Sequence, residues 1–145
     1  MDLKQLEARG LIEKTGPNKK QVWSQLDRAR RDLLTSQANL SIDEEWAYTI
    51  AYHAMLRAGR ALLLAHQYRA KGKDQHKTIV EFSAVVLGPE FGRLAIRFDR
   101  MRMTRHAFIY DTEKPITRTE AEKSLKSAGE FVNEIARLVR SLSRP

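Results

Sequence analysis

The sequence contains no cysteine, which excludes disulfides, thiolate zinc sites and thiol nucleophiles and fits a reducing compartment. No apolar run approaches the ~20 residues that a membrane-spanning helix needs. The opening "MDLKQLEARG" has an acid at its second position and no hydrophobic segment of the signal-peptide kind. A soluble, cytoplasmic protein without a membrane partner is therefore expected. No glycine-rich phosphate loop is present, and no histidine and carboxylate pair has a convincing ligand spacing. No structural metal and no cofactor are expected on these grounds. Internal repeats and low-complexity segments are absent as well.

Positive charge is what the chain has in excess. Lys and Arg number 26 against 18 Asp and Glu, a formal net charge of +8 over 145 residues. That length suits one domain, which can bury roughly 70% of its unfolded surface without a staple. The surplus favours a polyanionic partner, whether RNA, DNA, a nucleotide or an acidic protein. For net charge alone a generally basic surface is the better explanation, so the placement of the cations has to decide.

The pattern is helical almost throughout. Leu3 to Lys14 reads as one or two short helical turns broken by Gly10, and residues 1–17 form a leader. From residue 18 to 142 a single domain is expected. Val22, Leu26, Ala29, Leu33 and Leu40 share one face of a long amphipathic helix. Ser41 and Glu44 have the spacing of a capping box for the next helix. In that helix Ala47, Ala51, Ala54, Ala58, Ala61 and Ala65 step by four and three in alternation, a ridge that lets a second helix approach closely. Tyr68 to Thr78 reads as a basic connection. Ile79 to Val86 reads as a shorter helix closed by Gly88 and Pro89. Phe91, Leu94, Ala95, Phe98 and Met101 mark the inner face of the next helix. "DTEKPI" (111–116) reads as a loop, and Thr117 with Glu120 offers a second capping box. The last helix buries Ala121, Leu125, Ala128, Val132, Ile135, Leu138 and Val139. The fold class is all-α, an antiparallel bundle of four to five helices.

The stretch "DRMRMTRHAFIYD" (99–111) gathers Arg100, Arg102, Arg105 and His106, followed by Tyr110. At about 100° per residue, Asp99, Arg102, His106 and, less closely, Tyr110 lie on one stripe, and Arg102 and His106 can reach a single phosphate. Arg100 sits about 120° from His106 on a regular helix. It joins them only through a bend or a second subunit. Arg93, Arg97 and Arg100 form a separate stripe that extends the positive surface. A guanidinium donates two parallel hydrogen bonds to phosphate and keeps its charge. An imidazole can take a proton from a ribose 2′-OH or give one to a leaving oxygen, and neighbouring guanidinium charges favour its neutral form. These are the parts of a metal-independent RNA cleavage site. They are equally the parts of a helix C-terminus whose dipole is complemented by basic residues. His53, His66 and His76 are weaker signals.

On this stretch, on Glu44 to Phe82 ("EEWAYTIAYHAMLRAGRALLLAHQYRAKGKDQHKTIVEF") and on Thr117 to Ile135 ("TRTEAEKSLKSAGEFVNEI"), the chain resembles the HEPN-domain family, from about Asn18 to Leu142. The resemblance implies a four- or five-helix bundle, usually dimeric, with an Arg and a His near the dimer interface. Many such proteins are metal-independent ribonucleases. Others bind nucleotides or are inert partners of a minimal nucleotidyltransferase in toxin–antitoxin pairs. Arg100 and His106 match the family's spacing, with five residues between them, although Met101 stands where ribonuclease members commonly carry a polar residue. The expected site is therefore His106, Arg100 and Arg102 for catalysis, with Arg97, Arg105 and Tyr110 against phosphate. RNA or a nucleotide is the expected ligand, and a homodimer the expected assembly. The alternative is a non-catalytic partner of a nucleotidyltransferase.

Overall fold

The computed structural model describes residues 2–110 and 116–142, the side chains of 108–110 excepted. Among these, five long helices carry the domain: α2 (Lys19–Asn39), α3 (Glu44–Ala65), α4 (Gln75–Leu87), α5 (Gly92–Tyr110) and α6 (Arg118–Leu142). A short α1 (Leu3–Ala8) precedes them. Two three-residue strands, β1 (Ile12–Lys14) and β2 (Tyr68–Ala70), pair antiparallel with Ile12 opposite Ala70 and Lys14 opposite Tyr68. The expected loop from Asp111 lies outside the described residues, apart from Ile116.

The bundle is the expected one, and the structure adds to it a small two-stranded sheet, formed by segments read as a helical turn and as a connection. Gly10 stands at a φ of 71°, a left-handed conformation open to glycine, and this turns the chain out of α1 and into β1. The strands are too short to show an alternating pattern, so neither the leader nor the basic connection displayed them. Leu6 and Ile12 nonetheless enter the same core as the long helices.

α3 is the central element because its ridge is small. Ala47, Ala51, Ala54, Ala58 and Ala61 are all buried. α2 lies antiparallel against them, close enough for the Ser36 hydroxyl to donate to the Ala47 carbonyl at 2.6 Å. The start of α3 is capped by Asp43, whose carboxylate accepts from the Trp46 N–H at 3.0 Å, so Ser41 is not the cap. Glu44 and Glu45 then fill the first turn, where acids favour the helix dipole. At α6, Thr117 accepts from the Glu120 N–H at 3.1 Å, but the Glu120 carboxylate turns to Arg97. Only the first half of that capping box forms. Beneath α5, Phe98 is buried against Phe131, with ring centroids 5.0 Å apart, and against Tyr52 at 5.9 Å. Rings of this size each contribute roughly 1.5–3 kcal/mol through burial. They fix α5 on α3, and with it the side chains described next.

Candidate anion site at the meeting of three helices

Beyond its first two turns, α3 departs from its apolar pattern at three positions. His53, Arg57 and Arg60 fall at successive turns of one stripe, at its edge, half-buried. Tyr52, beside them in sequence, points inward and is enclosed. α4 brings His76 to it on its first turn: the Tyr52 hydroxyl lies 3.0 Å from His76 Nδ1. α5 closes the group from the other side, with the Arg105 guanidinium 5.8 Å from the centre of the Tyr52 ring. That distance permits a cation–π attraction.

Electrostatics at this junction follow from enclosure first and from cations second. Burial pushes the Tyr52 hydroxyl well above the usual phenol range, only partly offset by Arg105 and Arg102. The phenol therefore keeps its proton, and the neutral His76 shares a hydrogen bond with it through Nδ1. His76 is pushed down to about 4, chiefly by desolvation and then by the charges of Arg60 and Arg105, with His53 and Arg102 adding less. His53 is lowered for the same reasons, desolvation first and Arg105 next. Both imidazoles are neutral at physiological pH.

Two of the four arginines are already neutralised. Arg57 pairs with Asp32 at 2.8 Å and Arg102 with Asp99 at 2.9 Å. Among the described residues no carboxylate pairs with Arg60 or Arg105. The junction thus carries an excess of positive charge, next to neutral imidazoles that can accept or share protons. Such a constellation suits a phosphate.

The residues expected from sequence are partly separated. Arg102 and Arg105 join this junction. His106 is exposed on α5, one turn beyond Arg102 and next to Arg105. Arg100 lies on the other flank of α5, where it and Arg97 act on Tyr48, whose hydroxyl bonds to Thr104. Arg97 is paired with Glu120 at 2.9 Å and Arg93 with Glu130 at 2.6 Å, so α6 neutralises much of the second stripe. The side chain of Tyr110 lies outside the described residues. Tyr52, Arg57, Arg60 and His76 were not anticipated as one group. The polar stripe on α3 is a signal that the sequence does carry. Its meeting with His76, across a 24-residue separation, is not.

Acid should expose this enclosure. Since His76, His53 and also His66 are held below the ordinary imidazole value, the unfolded chain takes up protons first as pH falls. Stability is then complete above pH ~6.5 and declines towards pH 4. For the half-exposed His76 the loss is on the order of 1 kcal/mol after screening by solvent. Thermal melts should give a lower Tm at pH 5 than at pH 7, with a smaller difference in His76→Leu. An unchanged Tm would mean that the imidazoles are not enclosed.

A helical bundle with a junction of arginines, two of them without a carboxylate partner among the described residues, is the class that this geometry defines. The HEPN domain model matches residues 22–138, and the chain belongs to the HEPN-domain family. No curated protein sequence matches it. Among the described residues no helix is long and apolar enough to cross a membrane.

Proposed function

We propose that this HEPN protein binds RNA through its phosphates and cleaves it without a metal. The observation that carries the reading is the convergence of Arg60 and Arg105, neither with a carboxylate partner among the described residues, on the Tyr52–His76 pair. Arg60 and Arg105 would hold the phosphate, and His106, adjacent to Arg105 on α5, would transfer the proton. In this reaction the imidazole takes the 2′-hydroxyl proton and the 2′-oxygen attacks phosphorus. The 5′-oxygen leaves with a proton from the second copy's imidazole. The products are a 2′,3′-cyclic phosphate and a 5′-hydroxyl. The arginines stabilise the charge that develops on phosphorus.

Labelled RNA incubated in EDTA with the protein and with His106→Ala is the test. Cleavage by the native chain alone, with RNA affinity retained in the variant, is expected. Equal cleavage by both would assign the activity to a contaminant. Binding without cleavage would reduce the site to a phosphate clamp. Loss of both would leave the basic face to an acidic protein such as a minimal nucleotidyltransferase.

The reading includes a homodimer, which would bring Arg100 into the site from the neighbouring copy. Ile96 and Met103 flank Arg100 along one stripe of α5 and are 72% and 57% exposed, an apolar strip that a second α5 could cover. Sedimentation should return twice the 16.7 kDa chain mass. A monomer at micromolar concentration would remove both Arg100 and the second imidazole that protonates the leaving oxygen from the mechanism.

A further inference from the structure

A cleft of ≈ 540 Å³ opens beside the cationic junction, between the two-stranded sheet, the start of α2, α3 and α4. Its volume is within the ~300–1,000 Å³ range of small-molecule sites. The walls divide by chemistry. Leu63, Leu64 and Ile79 give an apolar side, and the amides of Gln21, Gln25 and Gln75 give a polar one. Amides present a donor and an acceptor side by side, which is what the edge of a nucleobase requires. Gln75 spends its NH₂ group on the Gly72 carbonyl at 3.3 Å, and Gln21 accepts from Asn18 at 3.2 Å. Among the described residues Gln25 has no such commitment, so its amide is available to a ligand.

Charge adds to these walls. Arg69 on its wall is held by Glu13. Arg60 also lines the cleft, unpaired with any carboxylate among the described residues, and its charge reaches both Tyr52 and His76. Gln75 in the cleft is followed directly by His76 at the junction. The cleft therefore combines amides and apolar side chains with Arg60, the cation that it shares with the junction. The rim from Thr15 to Gln21 lies ahead of the segment that the family model matches.

We propose that this cleft holds the base of a nucleoside monophosphate unit, free or within an RNA strand, with its phosphate on Arg60 facing Arg105. The proposal deepens the phosphate-binding reading above and rests on it. Calorimetric titrations with the four nucleoside 5′-monophosphates, ribose 5-phosphate and a trinucleotide test it on the full chain. At least one mononucleotide should bind tenfold or more tighter than ribose 5-phosphate. Gln25→Leu should erase that difference and leave ribose 5-phosphate binding unchanged. Gln75→Ala, at an exposed position, should narrow the difference even if Gln25→Leu fails to fold. A trinucleotide that binds tenfold tighter still would make RNA the source of the unit, whereas equal affinities would make it a free nucleotide. Mononucleotides that bind no tighter than ribose 5-phosphate would overturn the cleft assignment while leaving phosphate binding intact. If neither they nor ribose 5-phosphate bound, the reading it rests on would fail too.

Discussion

Replacing Arg60 and Arg105 together by alanine should weaken RNA binding by about a hundredfold. Charge-assisted hydrogen bonds contribute about 1.5–3 kcal/mol each, and even the lower figure, taken twice, corresponds to that factor. These two cations have no carboxylate partner among the described residues, so their removal leaves no buried acid stranded. The fold should survive. The salt dependence should flatten as well, by about 0.7 in slope for each single-strand phosphate that is no longer neutralised. Arg137→Ala is the control, because that guanidinium is already paired with Glu134 on α6. Filter binding at several salt concentrations reads both quantities. A double variant that binds like the native chain would place the RNA elsewhere.

Gly59→Ala should destabilise the chain, although alanine is normally the better helix former. Gly59 is buried where α3 crosses α4. A Cβ there would run into the Ile79 side chain and come within 3.2 Å of the Ser83 hydroxyl. Overpacking of this kind costs about 1–3 kcal/mol, set against the gain of roughly 1 kcal/mol that alanine normally brings to a helix. α4 can relieve the clash only by moving outward, and this would carry His76 away from Tyr52. Denaturant unfolding should therefore show a net loss of up to about 2 kcal/mol, accompanied by weaker phosphate binding. A variant as stable as the native chain would show that α4 is not tightly seated.

The contrast between Gly59 and the alanine ridge shows how far the sequence could be read. The ridge repeats at helical spacing, so its burial against α2 follows from periodicity alone, and the five long helices could be read the same way. Gly59 breaks no pattern, and its role depends on where Ile79 happens to lie. The two-stranded sheet escaped for a related reason, since three-residue strands carry too little alternation to register.

At the site, the local part was legible and the remote part was not. Arg102 and Arg105 stood out because they crowd one stretch. Helical geometry also gave the correct warning that Arg100 faces away from His106. That Glu120 and Glu130 neutralise Arg97 and Arg93 could not be known before α6 was placed against α5. Tyr52 looked like any aromatic residue of a core. Its phenol is joined to His76 only through the packing of α4, and the imidazole stays neutral because that packing encloses it.

The most direct measurement is titration of a short single-stranded RNA into the native protein at salt concentrations from about 50 to 200 mM. The account predicts saturable binding whose logarithm falls linearly with that of the salt concentration, with a slope of at least about 1.4 in magnitude, from two neutralised phosphates. The double Arg60→Ala, Arg105→Ala variant should lose most of that slope. RNA that fails to bind at the lowest salt, or binds with no dependence on salt, would contradict it.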